Sequence, residues 1–156
     1  MALDPTAREA NVRDSIKKFF VDNIYRTEGV EVTFDTELST PKIQGIEVDK
    51  WITINFGEFN FDNMSDYNID VYCCTKNDSE GFKLAQLRDK VMGYLTDSSK
   101  ADGMGRVTLY RSYADRPWEI IGYLMVFVET ESKQMVAPDG TKFKMIPCTL
   151  KWGAKP

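Results

Sequence analysis

The sequence predicts a single α+β domain over residues 1–156, built on a mainly antiparallel sheet of about six strands. Two segments repeat apolar residues every three or four positions, which is typical of amphipathic helices. Elsewhere apolar and polar residues alternate, and the alternating segments follow one another in runs, which favours antiparallel pairing. We therefore expect the element order α-βββ-α-βββ, with both helices packed on one face of the sheet.

The N-terminal region predicts the first helix and the first strand. Asp4 and Pro5 indicate the start of the helix, since Pro is tolerated at the first helical position, and Gly29 indicates its end. The apolar stripe of this helix consists of Val12, Ile16, Phe19, Phe20 and Ile24. A short alternating strand follows over residues 30–34.

A long connection then spans residues 36–50. Connections of this length are more often functional than purely structural. Its apolar residues Ile43 and Ile46 are therefore candidates for loop contacts with a partner.

Two more strands and the second helix follow. Ile52, Ile54 and Phe56 alternate along the first strand, Gly57 indicates a bulge or bend, and the next strand covers residues 67–73. Ser79 is a plausible cap for the second helix. The apolar stripe of that helix consists of Leu84, Leu87, Val91 and Leu95.

The C-terminal part predicts three strands. Gly103 and Gly105 indicate a turn, because no helix begins behind them as a phosphate-binding loop requires. A strand near residues 107–109 follows, and the apolar run over 120–129 predicts a strand that is buried on both faces. A turn at residues 137–140 precedes the last strand, 142–152.

The composition disfavours catalysis. The chain has no histidine, which excludes Ser-His and Cys-His nucleophile pairs and His-ligated zinc. Its net charge of −4 disfavours nucleic-acid binding. Cys73, Cys74 and Cys148 lack disulfide or metal spacing and suit a reducing compartment as small core residues. The N-terminus lacks a secretion signal, and the longest apolar run is too short to span a bilayer. We expect a soluble protein made in the cytoplasm, without enzymatic activity, cofactor or metal.

Charge is distributed unevenly along the chain. Residues 58–80 contain six acids and one lysine, a net charge of −5, and residues 133–156 contain five lysines and one acid, a net charge of +4. Two oppositely charged patches suit head-to-tail contact between identical copies, although two ordinary solvated faces would also explain them. The candidate interface residues are Asp62, Asp66, Asp70, Lys133, Lys142 and Lys144.

Two acidic groups imitate catalytic or metal sites. The segment 66–77 begins like a calcium loop, but its sixth and twelfth positions are Val71 and Asn77 rather than Gly and Glu. Glu129 and Glu131 share one strand face like a glycosidase pair, but nothing else indicates a sugar cleft. A strand with a solvated acidic face and exposed charges is the simpler interpretation of both.

With these elements in place, the chain resembles the tail terminator, or tail completion, proteins of long-tailed bacteriophages. The resemblance rests on the amphipathic helix at residues 7–26, the strand at 67–73, the helix at 81–91 and a C-terminal β-hairpin. It implies a homohexameric ring that caps the tail tube, ends tail polymerisation and presents the head-joining surface. The implied partners are the other copies, the tail tube protein and a head-completion or connector protein, and the implied location is the head-proximal end of the virion tail.

Two other classes of protein remain open at this stage. A tail tube protein or another head-tail connector would also form rings, but its rings would stack into open-ended assemblies. A small-ligand-binding domain would need a polar-lined pocket, for which the sequence offers no residues.

Overall fold

The chain forms two α-helices, one π-helix and nine strands within residues 9–35, 42–43, 46–60, 64–111 and 119–153, which the computed structural model describes. In chain order the elements are α1 (Glu9–Phe20), the π-helix (Val21–Thr27), β1 (Glu31–Phe34), β2 (Lys42–Ile43), β3 (Ile46–Glu47), β4 (Lys50–Asn60), β5 (Met64–Thr75), α2 (Phe82–Leu95), β6 (Arg106–Arg111), β7 (Glu119–Val128), β8 (Met135–Val136) and β9 (Lys142–Gly153). The α+β class predicted from the sequence is confirmed.

The sheet is mixed, which corrects the expected antiparallel arrangement at one edge. Its strand order is β1-β4-β5-β9-β7-β6, with β8 also paired to β9. Strand β1 runs parallel to β4, from Glu31 opposite Trp51 to Phe34 opposite Ile54. A parallel pair needs a long crossover rather than a hairpin, and the connection between β1 and β4 is long enough to provide one.

The predicted order α-βββ-α-βββ also needs correction. Strands β2 and β3 form a separate two-stranded sheet inside the connection that the sequence predicts as a loop. Strand β8 is a further two-residue strand before β9. Strands this short contain too few residues for apolar alternation to be detectable.

The helical segment at the N-terminus ends near Gly29 as predicted, but α1 itself ends at Phe20 and a π-helix that the sequence does not predict follows it. Helix α1 buries Val12, Ile16 and Phe20, and the helical path continues through the π-helix to Thr27. Gly29 has a φ of +69°, a left-handed conformation that glycine adopts without strain, and its amide donates to the carbonyl of Tyr25 at 3.1 Å. The helix end therefore follows local chemistry that is visible in the sequence.

Helix α2 is capped by Asp78, not by the predicted Ser79. One carboxylate oxygen of Asp78 accepts hydrogen bonds from the amide of Leu84 at 2.9 Å and the hydroxyl of Thr75 at 3.0 Å. The other accepts the amide of Lys83 at 3.3 Å. Gly81 takes a left-handed conformation just before the helix, and this turn brings residue 78 to the first-turn amides.

One face of the sheet, called here the core face, carries the apolar stripes of both helices. Leu84, Leu87 and Val91 of α2 belong to the same buried cluster as Val12 and Ile16 of α1. The strand residues of this cluster recur at alternate positions, such as 67, 69, 71 and 73 on β5. The packing that the two helical stripes predict is therefore confirmed.

The strand β7 is not buried on both faces, contrary to the prediction from its apolar run. Leu124 and Val126 are buried in the core, whereas Ile120 and Tyr123 are 57% and 59% exposed. Hydropathy alone cannot distinguish a strand between two layers from a strand with one apolar face turned outward. The predicted bulge at Gly57 is confirmed, since the pairing of β4 with β5 shifts register between Phe56 and Phe59.

Replacement of Gly105 by Ala is expected to destabilise the fold by about 1–3 kcal/mol, as overpacking does. A Cβ atom at Gly105 would lie 2.6 Å from the carbonyl oxygen of Leu95, so the backbone would have to move. Gly93→Ala is the matched control, because a Cβ there has no neighbour within 4 Å. In urea unfolding the control should be neutral or stabilising, and equal effects of both substitutions would contradict the close approach at Gly105.

Candidate functional site

The second face of the sheet, called here the open face, carries apolar side chains that neither helical stripe covers. Cross-strand partners share a face, so the even-numbered residues 66–74 of β5 and their partners on β9 lie together here. Its half-buried apolar residues include Tyr72, Met125, Phe127, Phe143 and Met145. The rings of Tyr72 and Phe143 lie 6.2 Å apart between centroids. Trp51 and Cys74 on the same face are fully buried, so this end of the face is covered, whereas around Asp70 and Met125 half-buried apolar side chains stand among polar ones. A mixed surface of this kind is suited to contact with another chain.

Asp70 lies on the open face and forms no ion pair within the described part of the chain. It stands opposite Pro147 on β9 and Asn55 on β4, and burial raises the pKa of its carboxyl. The side-chain oxygen of Asn55 is buried without a hydrogen-bond partner among the described residues. Buried polar groups are normally satisfied, so this region has unused hydrogen-bonding capacity.

Asp66 lies on the same face, but it is already partnered. Its carboxylate accepts a hydrogen bond from the side-chain amide of Asn60 at 2.9 Å and stands opposite Lys151 in the strand register. The ammonium of Lys151 also lies 4.7 Å from the ring centroid of Phe127. Of the two acids on this strand, Asp70 is therefore the one available to a partner's cation.

The candidate lysines of β9 lie on the core face, behind the acidic residues. Lys142 and Lys144 stand opposite Thr75 and Cys73, whose side chains are directed away from Asp66 and Asp70. The two predicted patches are thus on opposite faces of two adjacent strands. Contact between patches of different copies stays a prediction.

Lys144 already takes part in a charge network within its own chain. Its ammonium lies 3.4 Å from one carboxylate oxygen of Glu131, and the Nε of Arg88 lies 2.9 Å from the other. The hydrogen bond from Arg88 is the main cause of the lowered pKa of Glu131, with Lys144 adding to it. Glu129 is exposed and Glu131 forms this structural pair. Both follow the end of β7 at Val128, so the prediction that they share one strand face is wrong.

Lys133 is exposed, unlike Lys142 and Lys144, and is the most accessible of the three candidate lysines. Ile43 and Ile46 pair with each other across the β2–β3 sheet, but their side chains lie outside the described part of the structure. Asp62 also lies outside the described residues.

Two features near the ends of helix α2 were not singled out by the sequence. Phe82 at the first position of the helix is 67% exposed, and Val136 is 62% exposed. At the opposite end a cavity of about 670 Å³ is lined by Gly93, Tyr94, Thr96, Asp97, Lys100, Gly105, Arg106 and Tyr123. The sequence could have indicated that Phe82 is exposed, because Phe82 does not belong to the apolar stripe of this helix, which begins at Leu84.

A second cavity of about 680 Å³ lies beside α2, over the apolar side chains of Val30 and Leu87. Its charged residues are largely paired, since the ammonium of Lys83 lies 3.5 Å from Asp49 and that of Lys90 lies 3.1 Å from Glu28. Hydrogen bonds from Tyr94 and Lys90 lower the pKa of Glu28. These pairs stabilise the position of α2 and leave few groups for ligand chemistry.

All three thiols are buried and unpaired. Burial raises the pKa of Cys74 and of Cys148 to about 12 and raises that of Cys73 as well. Thiols in such surroundings are poor nucleophiles and poor metal ligands at neutral pH. The prediction that they serve as small core residues agrees with this placement.

No cluster of three or more Cys, Asp and Glu residues suited to holding a metal ion occurs in the described ranges. The helices in the same ranges are too short or too polar to cross a membrane.

Comparison with known proteins bears on the fold alone. No family model and no curated protein sequence matches the chain. Among the solved structures that match, one protein whose name states no function is 10% identical, with a TM-score of 0.54. The alignment covers 92% of this chain and 97% of that one. A protein of similar size therefore shares the arrangement of elements over nearly its whole length.

Proposed function

We propose that this chain is a non-enzymatic structural protein that assembles into a ring, and that the ring is the tail terminator of a long-tailed bacteriophage. The open face of the sheet carries the proposal. It presents half-buried aromatic and Met side chains around Asp70, which has no ion-pair partner among the described residues, and Tyr123 on this face is 59% exposed. Apolar surface of this kind is stabilised by covering it with another chain.

The specific role comes from the resemblance to tail terminators. The segments that carry that resemblance correspond to α1 with the π-helix, β5, α2 and the antiparallel strands near the C-terminus. A terminator would form a hexamer, cap the tail tube, stop tube growth and present the surface that joins the head. Its partners would be the tail tube protein and a head-completion or connector protein, at the head-proximal end of a virion assembled in the host cytoplasm.

The role proposed for the chain uses charge and shape rather than chemistry. Oppositely charged and apolar patches on one subunit set the register between copies, and burial of apolar surface supplies most of the affinity. No cofactor is needed for this role.

Native mass spectrometry of the purified protein tests the proposal. We expect a closed particle of six chains of 17.9 kDa each, which weakens but persists as the salt concentration rises. Rim charges are screened by salt, whereas buried apolar contacts are not.

Each other result has a definite meaning. Long open tubes would contradict the terminator and favour a tail tube or connector protein, because a heterologous contact that does not close forms a filament. A monomer at every concentration would contradict the ring and favour a small-ligand-binding domain.

A further inference from the structure

Phe82 is an exposed aromatic side chain on a rigid support. It is 67% exposed and begins helix α2, whose first turn is held by the Asp78 carboxylate through the amides of Lys83 and Leu84. Gly81 precedes it with a φ of +76°, and a Cβ atom there would collide with the side chain of Gln134. An aromatic ring that is both exposed and pre-positioned is the usual form of an interface anchor, since little entropy is lost when it binds.

The cavity at the other end of α2 has the properties of a receptor for such a ring. Its volume is about 670 Å³, and Tyr94 and Tyr123 supply aromatic lining. Gly93 contributes no side chain, and a Cβ atom at this position would meet nothing within 4 Å, so the wall is open here. Aromatic rings pack favourably against one another in offset or edge-on geometry.

The residue beside the ring is acidic, and the cavity carries two cations, Lys100 and Arg106, together with one acid, Asp97. Glu80 is exposed two residues before Phe82, and Lys100 is exposed at the cavity, with no ion pair among the described residues. Arg106 at the cavity is held by Asp102, with 2.9 Å between nitrogen and oxygen. The carboxylate of Asp97 accepts hydrogen bonds from the amide and the hydroxyl of Ser99, and Lys100 acts on it as a nearby charge without a direct ion pair. Lys100 is therefore the cavity cation that an incoming carboxylate would pair with.

We propose that Phe82 of one copy occupies the cavity of the next copy that is lined by Gly93 and Tyr123. In this contact Glu80 of the first copy lies against Lys100 of the second. This inference rests on the proposed ring, and it specifies the contact between subunits. Phe82 cannot reach the cavity of its own chain, because the two lie at opposite ends of a 14-residue helix that is roughly 20 Å long. The contact is heterologous, so it repeats head to tail from copy to copy.

Disulfide trapping with the full-length double variant Glu80→Cys/Lys100→Cys tests the contact and keeps Phe82 in place. The two positions lie beyond opposite ends of a 14-residue helix that is roughly 20 Å long, whereas a disulfide needs Cα atoms within about 7 Å. Any bond between them must therefore join two copies. The native thiols are buried with raised pKa values and should not compete under mild oxidation.

We expect a ladder of covalently linked oligomers on a non-reducing gel, ending at the size of the native ring. The matched control is Glu80→Cys/Ile120→Cys, because Ile120 is exposed but does not line the cavity. The control should give no ladder. Equal ladders from both pairs would mean random collision and would overturn the proposed contact.

Charge exchange provides a second measurement that leaves the core untouched. Glu80→Lys should weaken association at low salt by about three- to tenfold, and Glu80→Lys/Lys100→Glu should recover most of it. Both residues are exposed, so folding should be unaffected. A double variant no better than the single one would overturn the pairing of these two charges.

The outcomes separate this contact from the proposed function. A closed ring without the 80–100 ladder would overturn the contact and leave the terminator standing. A ladder in long open tubes would support the contact and overturn the terminator. A protein that stays monomeric and forms no ladder would overturn both.

Discussion

Leu87→Ala is expected to lower the free energy of unfolding by about 2–5 kcal/mol, the usual cost of truncating a buried leucine. Leu87 is 3% exposed and lies in the cluster that joins α2 to α1 and to the core face of the sheet. Removal of its isobutyl group leaves a void that the helix and the sheet cannot both move to fill. Urea unfolding at a fixed protein concentration measures the change.

The neighbouring residue offers a control for this prediction. Gln86 is exposed on the same turn of α2, and Gln86→Ala should change stability by less than about 0.5 kcal/mol. If Leu87→Ala had an effect as small as that of Gln86→Ala, the packing of α2 against the sheet would be wrong.

Asp78→Ala is expected to lower the free energy of unfolding by about 2–3 kcal/mol, more than the loss of an exposed helix cap would. The reason is that the substitution leaves several buried hydrogen-bond donors without an acceptor. The amides of Lys83 and Leu84 and the hydroxyl of Thr75 would all lose their acceptor. Ser79→Ala is the control, since Ser79 is exposed and is the cap that the sequence favours. A larger effect at Ser79 than at Asp78 would restore the sequence-based assignment of the cap.

The same residue predicts a pH dependence of stability. Burial acts to raise the pKa of Asp78, but the hydrogen bonds from Leu84, Thr75 and Lys83 outweigh it and leave the pKa below its usual value. A carboxyl with a lowered folded-state pKa stabilises the fold above its unfolded pKa of about 3.9, and that contribution disappears as the pH falls through the folded value. The stability difference between wild type and Asp78→Ala should therefore shrink below about pH 4. A difference that stays constant down to pH 2 would contradict the ionised cap.

The sequence predicts which charged residues belong to the candidate site but not how they are arranged in the sheet. The sequence identifies the acidic segment around Asp66 and Asp70 and the lysines of the C-terminal strand. Alternation along a single strand even indicates which residues share a face. It does not indicate that β5 and β9 are neighbours in the sheet, with Asp70 on the open face and Lys144 on the core face beside Glu131. That arrangement depends on strand register, which is set by contacts between distant parts of the chain.

What the sequence determined by itself is the local structure: the two helical segments, the end of the first near Gly29, the bulge at Gly57 and the core stripe from Leu84 to Leu95, although not the change from α-helix to π-helix after Phe20. These features follow from 3.6-residue periodicity and glycine geometry, which act over a few neighbouring residues. Only the tertiary structure decided the parallel pairing of β1 with β4, the helix cap at Asp78 and the outward apolar face of β7. It also decided that the exposed ring of Phe82 and a cavity lie at opposite ends of one helix. These features join residues far apart in the chain, and their positions depend on packing that no local pattern encodes.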